Sequence, residues 1–170
     1  IKQFTARKPK FGLPVNILRG SLDLCFYREV ECLDRLRGCR HFPKIIEHNS
    51  KERWIKMSYV GENYEKTNVQ DYQMYDKQID KIVNTLISKK IKLAYEWNPN
   101  DGKIGYCLSM MMFKDNVLSL IDFERAWPVG CDRESEFSPV FKTSFAKHDD
   151  EKFKDILKIT ISRLHEHKKK

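Results

Sequence analysis

The sequence has no apolar run that approaches the roughly 20 residues of a membrane-spanning helix. It also has no internal repeat, no signal-peptide pattern and no C-x-x-C pair. An odd number of cysteines, 5 in 170 residues, argues against a disulfide framework. We therefore expect free thiols in a reducing, intracellular compartment such as the cytoplasm.

The composition is that of a folded domain. Hydrophobic residues make up 41% and charged residues 33% of the 170 residues, which excludes a disordered tail and a collagen-like repeat. A chain of this length is about one domain long and can bury roughly two thirds of the surface of its unfolded state.

The net charge of +8 is concentrated in the first third of the chain. Residues 1–60 contain 13 Lys and Arg against 6 Asp and Glu, whereas residues 61–170 contain 19 against 18. A basic surface of this kind suits phosphate, nucleic acid or another anionic partner. The alternative is a solvated basic face without a ligand.

Hydrophobic periodicity predicts a strand, a helix, two strands, a helix, a loop, a hairpin and a last helix. The predicted elements are a strand at 1–8, a helix between Ser21 and Gly38, strands at 42–46 and 54–60 around a turn at 48–53, a helix marked by Tyr75, Ile79, Ile82, Val83 and Leu86, a loop at 95–105, a hairpin of 108–113 with 117–123, and a helix capped by Asp149.

The first predicted helix contains a carboxylate in its apolar stripe. Glu29 lies three residues after Phe26 and four before Leu33. A buried carboxylate is costly unless it meets a cation, so we expect a buried Lys or Arg from elsewhere in the chain. The alternative is that Glu29 lies at the edge of the stripe and reaches water.

Three cysteines of the same region are spaced by seven residues, and a histidine follows them. Cys25, Cys32 and Cys39 are most simply small buried residues, with Gly38 ending the helix before the third. A metal site that includes His41 is the alternative, although zinc usually has four ligands at tighter spacing.

Three stretches together resemble the protein kinase superfamily. Residues 27–36 and 42–46 read YREVECLDRL and FPKII, and they resemble the αC helix with its ion-pairing glutamate and the fourth strand. Residues 54–61 read WIKMSYVG and resemble the strand that enters the hinge between the lobes. Residues 117–124 read VLSLIDFE and resemble the strand before the D-F-G aspartate, here as D-F-E. Their order and spacing agree with the family.

The resemblance implies an α+β, protein-kinase-like two-lobe fold. Residues 1–60 would form an N-lobe-like part with a small antiparallel sheet and the αC helix. Residues 61–170 would form a reduced, mostly helical C-lobe-like part with a catalytic-type loop and a β-hairpin. The part after Asp122 has no A-P-E motif and is too short for the large helical platform of full kinases.

The resemblance also implies a site for ATP and Mg²⁺. Lys8, in a stretch F-T-A-R-K that is similar to V-A-I-K, or else Lys2, would bind the phosphates. Glu29 would pair with that lysine, and Asp122 would bind Mg²⁺.

The adenine would lie against the predicted hinge. Met57 would be the gatekeeper, and the backbone of Ser58, Tyr59 and Val60 would contact the base.

The catalytic loop departs from the family pattern. Residues 94–101 read AYEWNPND and resemble H-x-D-L-x-P-x-N, with Ala94 in place of His. In this alignment Glu96 would be the catalytic base and Asp101 the second metal ligand. Both exchanges alter reach or charge, so we expect slow chemistry.

A second alignment of this loop implies an inactive protein. Asp101 lies 21 residues before Asp122, which is longer than the usual gap in the family. Without that insertion, Ile104 would stand at the position of the base and Ser109 at that of the metal-binding Asn.

Three functions therefore remain open. The first is a minimal ATP- and Mg²⁺-dependent phosphotransferase that acts on a protein or a small molecule. The second is a pseudokinase that serves as a binding or structural module in a larger assembly. A glycine-rich loop upstream of Ile1 would favour the first, and its absence from the natural chain the second. The third is a basic nucleic-acid-binding module, which the sequence supports least because it has no zinc-finger spacing.

Overall fold

A computed structural model of the chain describes residues 1–5, 21–64, 66–67, 73–93, 110–146 and 149–168. Within these ranges the fold is mixed α+β, with small antiparallel sheets and four α-helices. The strands are β1 (Lys2–Gln3), β2 (Ile45–Asn49), β3 (Trp54–Met57), β4 (Ile91–Leu93), β5 (Met111–Lys114), β6 (Val117–Leu120) and β7 (Ala126–Pro128). The helices are α1 (Leu22–Arg35), α2 (Asp76–Ser88), α3 (Pro139–Ala146) and α4 (Asp150–Lys168).

Helix α1 begins and ends as its sequence predicts. The side chain of Ser21 accepts a hydrogen bond from the backbone N–H of Leu24 at 3.2 Å, which is an N-cap. The helix ends at Arg35, and Gly38 follows with a φ of +87°, a left-handed conformation that favours glycine. The positions at which α1 begins and ends are therefore determined by residues that are its neighbours in the sequence.

The first sheet contains three strands in the order β1-β3-β2, all antiparallel. The predicted strand at 42–46 is displaced, because β2 begins only at Ile45 and continues to Asn49, into the predicted turn at 48–53. Pro43 has no N–H for a strand ladder, and Phe42 is buried in the core. The predicted strand at 54–60 is also too long, since β3 ends at Met57.

The predicted hairpin is confirmed by β5 and β6, although β5 extends to Lys114 and β6 ends at Leu120, before the predicted residue 123. Met111 pairs with Leu120 and Lys114 with Val117. The two residues between the strands, Asp115 and Asn116, have φ values of 49° and 60°. Both are left-handed, as a type I′ turn requires, and Asp and Asn tolerate this conformation best among non-glycine residues.

The structure also contains elements that the sequence analysis does not predict. Strand β4 pairs with β7 in a separate two-stranded sheet, and α3 precedes the last helix. Strands of three residues are too short to show an alternating pattern, which explains why they escape prediction. The predicted loop at 95–105 lies outside the described residues.

The main core lies between α1, α2, the β5–β6 hairpin and α4. Helix α2 confirms its predicted stripe, since Ile79, Ile82, Val83 and Leu86 are all buried. In α4, Asp149 caps the backbone N–H of Lys152 at 3.1 Å. No helix in the described ranges is both long and apolar enough to cross a membrane.

Candidate functional site

Lys2 joins three distant parts of the chain at one point. It lies on β1, where it pairs with Ile55 of the central strand β3. Its Nζ donates to Oε2 of Glu29 at 2.9 Å and to Oδ1 of Asp122 at 2.6 Å. Oε2 of Glu124 lies 4.0 Å from the same nitrogen. One ammonium group is therefore surrounded by three carboxylates.

Glu29 is the most deeply buried of these carboxylates, with 0% of its surface exposed. Its Oε1 has no hydrogen-bond partner, so Lys2 provides its main compensation. Burial raises the pKa of Glu29 above the usual glutamate range, while Lys2 acts in the opposite direction. The expectation that a cation from elsewhere in the chain pairs with Glu29 is confirmed, although Lys2 itself is half-buried rather than buried.

Lys2 is held in its charged form by its neighbours. Burial acts to lower the pKa of Lys2, but the carboxylates of Glu29 and Asp122 outweigh it, and the net shift is upward. The ammonium therefore stays protonated at neutral pH. Because this cation belongs to a flexible side chain, it can exchange a carboxylate for another anion.

Asp122 lies in a constrained backbone between two fixed residues. Its φ is +69°, although it does not belong to a hairpin turn. The N–H of Ile121 donates to the carbonyl of Met110 at 2.9 Å, and Phe123 is buried with its ring 6.0 Å from that of Phe42. A non-glycine residue in this conformation is typical of functional sites.

Asp122 and Lys2 lie at one end of a cleft of about 430 Å³. Residues of β1, the segment after β3 and the β5–β6 hairpin line it. The lining residues are Ile1, Lys2, Pro43, Met57, Ser58, Tyr59, Val60, Gly61, Met112, Ile121 and Asp122. The charged side chains among them, Lys2 and Asp122, are in direct contact, and the other lining residues are uncharged, so the charge is concentrated at one place in the cleft. Clefts of roughly 300–1,000 Å³ with this character typically bind small molecules.

The predicted hinge lines the cleft, but Ser58 is already engaged. Its N–H donates to the carbonyl of Lys44 at 2.8 Å, and its hydroxyl accepts from the N–H of Lys44 at 2.8 Å. Ser58 thereby continues the pairing of β2 with β3. Tyr59 and Val60, the other two residues predicted to contact the base, follow Ser58 and do not take part in this pairing with Lys44.

Gly61 fixes the direction of the segment after β3. Its φ is +124°. The next residue, Glu62, exchanges two backbone hydrogen bonds with Phe113 of β5, at 2.8 and 3.2 Å. This bridge connects the segment that lines the cleft to the β5–β6 hairpin.

The structure brings together most of the predicted site residues that it describes. Lys2 is in direct contact with both Glu29 and Asp122, and the cleft that Lys2 and Asp122 line is also lined by Met57, Ser58, Tyr59 and Val60. The other predicted residues, Lys8, Glu96 and Asp101, together with Ala94, Ile104 and Ser109 of the two alignments, lie outside the described residues.

Sequence reasoning missed the role of Arg28. Its side chain is 1% exposed, and its Nε donates to the carbonyl of Glu124 at 2.9 Å. A signal existed, because Arg28 lies three residues after Cys25 and four before Cys32. All three share one buried face of α1, so the cysteine spacing marked that face.

Cys25 and Cys32 follow the simpler expectation of small buried residues, whereas Cys39 is only half-buried. Cys25 and Cys32 are buried, and the four described cysteines are free thiols. Burial raises the pKa of Cys32 well above its usual range, so its thiol is neutral. His41 Nδ1 lies 2.8 Å from the carbonyl oxygen of Leu118. In the part of the chain that is described, no three His, Cys, Asp or Glu side chains are grouped as a metal site.

Comparison of the sequence with models of protein families and with curated proteins finds no match. The functional assignment therefore depends on the geometry of the cleft and on the motifs that line it.

Proposed function

We propose that this chain is a minimal, divergent protein-kinase-like phosphotransferase that binds ATP and Mg²⁺ in the cleft. The observation that supports this most directly is the contact of Lys2 with both Glu29 and Asp122 at one end of that cleft. In this proposal the ammonium binds the phosphates, and the buried Glu29 orients it. Phosphoryl transfer requires mainly positioning and charge neutralisation, which these groups supply.

The two ends of the cleft suit the two ends of a nucleotide. The charged end suits phosphates, which a lysine binds as a point charge. The apolar wall, with Met57 and Met112 on it, suits a flat base, and thioethers pack well against aromatic rings. The cleft volume of about 430 Å³ is adequate for a ligand of this size.

The residues at the charged end fit Mg²⁺. This ion prefers one or two carboxylates, together with phosphate oxygens and water. The side chain of Asp122 is 28% exposed and lines the cleft, so its oxygens are available once Lys2 turns to a phosphate. Asp101 would be the second ligand. When bound, Mg²⁺ would neutralise charge on the phosphates.

The proposal includes the two-lobe arrangement of the kinase family. Residues 1–60 would form the N-lobe-like part and 61–170 the reduced C-lobe-like part. The order of β1, α1, β2 and β3, with Glu29 on the buried face of α1, supports this assignment. Glu96 would be the base that accepts the proton of the phosphoacceptor hydroxyl.

A pseudokinase is the alternative, and the position of Glu124 favours it. This residue stands where the family has the glycine of D-F-G. Its carboxylate lies 4.0 Å from Nζ of Lys2, where it competes with phosphate for the ammonium. Together with the departures at residues 94–101, this predicts weak or absent chemistry.

Binding of Mg·ATP should raise the melting temperature of the wild type, and Asp122→Asn should abolish this effect. Ligand at about 100 times its Kd adds about 2.7 kcal/mol, which is roughly 5–10 °C for a chain of this size. The rise should require Mg²⁺ and should be absent for ATP with excess EDTA. Thermal unfolding with and without Mg·ATP measures it.

The matched control is Asp115→Asn, which makes the same chemical change in the exposed turn of the hairpin. It should retain the full Mg·ATP effect. ADP formation by the wild type then separates the two alternatives, since a Mg²⁺-dependent rise without ADP indicates a pseudokinase. No rise in the wild type at millimolar Mg·ATP would contradict the nucleotide site. A strongly salt-dependent affinity for DNA or RNA would then favour the nucleic-acid module.

A further inference from the structure

Arg28 is a buried cation that the proposed chemistry does not use. It is 1% exposed and precedes Glu29 on α1. Its guanidinium carbon lies 4.6 Å from the ring centroid of Phe141 and 5.5 Å from that of Phe137. Both aromatic residues come from the part of the chain after β7, which reaches back to α1. The guanidinium is thus held by two cation–π contacts.

Arg28 also contacts the segment that contains Asp122. Its Nε donates to the carbonyl oxygen of Glu124 at 2.9 Å. Glu29, the next residue, contacts the same segment through Lys2. Two adjacent residues of α1 thus hold residues 122–124 at two points. Glu29 acts through Lys2 on the side chain of Asp122, and Arg28 acts on the backbone carbonyl of Glu124.

Burying the guanidinium of Arg28 costs free energy that an apolar side chain in the same space would not cost. Burial lowers the pKa of Arg28 below its ordinary value, which is the sign of a desolvated charge. An apolar side chain would fill the same volume at lower cost. Arginine differs from it in presenting a fixed planar donor that can stack on rings and aim Nε at one carbonyl.

The backbone conformation of Asp122 is one that contacts to neighbouring residues hold in place. A φ of +69° is uncommon outside a turn, even though aspartate tolerates it better than most residues, and fixed neighbours help to maintain it. The bond from Ile121 to Met110 holds one side, and the Arg28 bond to Glu124 holds the other.

We propose that Arg28 is a positioning residue that fixes residues 122–124, so that the carboxylate of Asp122 is presented to Mg²⁺. The proposal rests on the proposed function for its consequence in nucleotide binding. The structural part, that Arg28 holds the segment, can be measured without any nucleotide. The stack on Phe137 and Phe141 also makes the region after β7 a support for the metal-binding residue.

The test compares Arg28→Lys and Arg28→Met with Arg35→Lys. Arg35 is a matched control because it also lies on α1 and donates to a backbone carbonyl, that of Val129, at 3.0 Å. Amide hydrogen exchange should accelerate at residues 123–126 by about tenfold or more in both Arg28 variants, as expected for the loss of one charge-assisted hydrogen bond. Exchange in α2 should accelerate less, and Arg35→Lys should leave residues 123–126 unchanged relative to α2.

The second readout is the Mg²⁺ requirement of ATP binding. In the Arg28 variants, the Mg²⁺ concentration for half of the ATP-induced thermal rise should increase about tenfold, while adenosine affinity stays constant. In an Asp122→Asn background, which removes the Mg²⁺-dependent thermal rise, Arg28→Lys should leave the adenosine affinity unchanged, because its effect on nucleotide binding passes through Asp122.

Each outcome distinguishes the two proposals. Unchanged exchange at residues 123–126, or an equal acceleration in α2, would overturn the role of Arg28. An unchanged Mg²⁺ requirement in a protein that binds Mg·ATP would overturn it as well. A wild type that does not bind Mg·ATP would contradict the nucleotide site, and the exchange data would still decide whether Arg28 holds the segment.

Discussion

Replacing Lys2 with methionine should destabilise the fold by about 3–5 kcal/mol at neutral pH, because it leaves a buried carboxylate without its cation. Glu29 is fully buried, and its Oε1 is already without a hydrogen-bond partner. Methionine keeps an unbranched side chain but has no charge. Urea unfolding should show a lower midpoint with an unchanged slope, which is the signature of a stability change.

The cost of Lys2→Met should depend on pH in a defined direction. Burial already raises the pKa of Glu29, and removing Lys2 raises it further. A group with a raised pKa in the folded state gives stability below its unfolded pKa and loses it as the pH rises through the folded pKa. The difference from wild type should therefore be largest at neutral and alkaline pH. It should shrink as the pH falls toward about 4.3, the value of an unfolded glutamate.

Two controls separate this effect from the simple loss of a lysine. Lys51→Met removes a charge from the exposed turn before β3 and should change stability by less than about 0.5 kcal/mol. The double variant Lys2→Met with Glu29→Gln should be more stable than Lys2→Met alone, because the buried charge is then absent. A Lys2→Met cost equal to that of Lys51→Met would contradict the pairing.

The position of Glu29 was predictable because local periodicity determines which residues of a helix face the core. That Lys2 is a cation in contact with Glu29 was not predictable. It depends on the register of β1 against β3, in which Lys2 lies opposite Ile55. Such a register is set by long-range pairing, and the apolar alternation at the start of the chain is too weak to determine it.

Arg28 illustrates a different limit of sequence analysis. A charged residue on a helix is normally assigned to the solvent face, because burying it is costly. Here Phe137, Phe141 and the Glu124 carbonyl, all more than 90 residues away in the sequence, contact the guanidinium, in addition to a hydrogen bond to Sγ of Cys25 at 3.6 Å. The spacing of Cys25 and Cys32 identified the face but not the partners.

Gly61→Ala should be the most damaging of the possible glycine substitutions in the described part of the chain. A Cβ at this position would lie 2.5 Å from the carbonyl carbon of Phe113 and closer still to its oxygen. These are backbone atoms and cannot rotate away. The φ of +124° adds strain of about 1–3 kcal/mol for any residue with a side chain. Relief of the clash would break the two hydrogen bonds between Glu62 and Phe113, worth about 1 kcal/mol each.

The expected total for Gly61→Ala is therefore about 3–5 kcal/mol, measured as the free energy of unfolding in urea. Gly38→Ala is the matched control, because Gly38 also has a positive φ, +87°, but a Cβ there meets nothing within 4 Å. It should cost only about 1–2 kcal/mol. Equal costs would mean that conformation alone matters and that the contact with Phe113 is not tight. A larger cost for Gly61→Ala would mean that the contact with Phe113 is tight. If the adenosine affinity of the folded variant is also lowered, the bridge between Glu62 and β5 shapes the wall of the cleft. Gly38→Ala should leave that affinity unchanged, since Gly38 does not line the cleft.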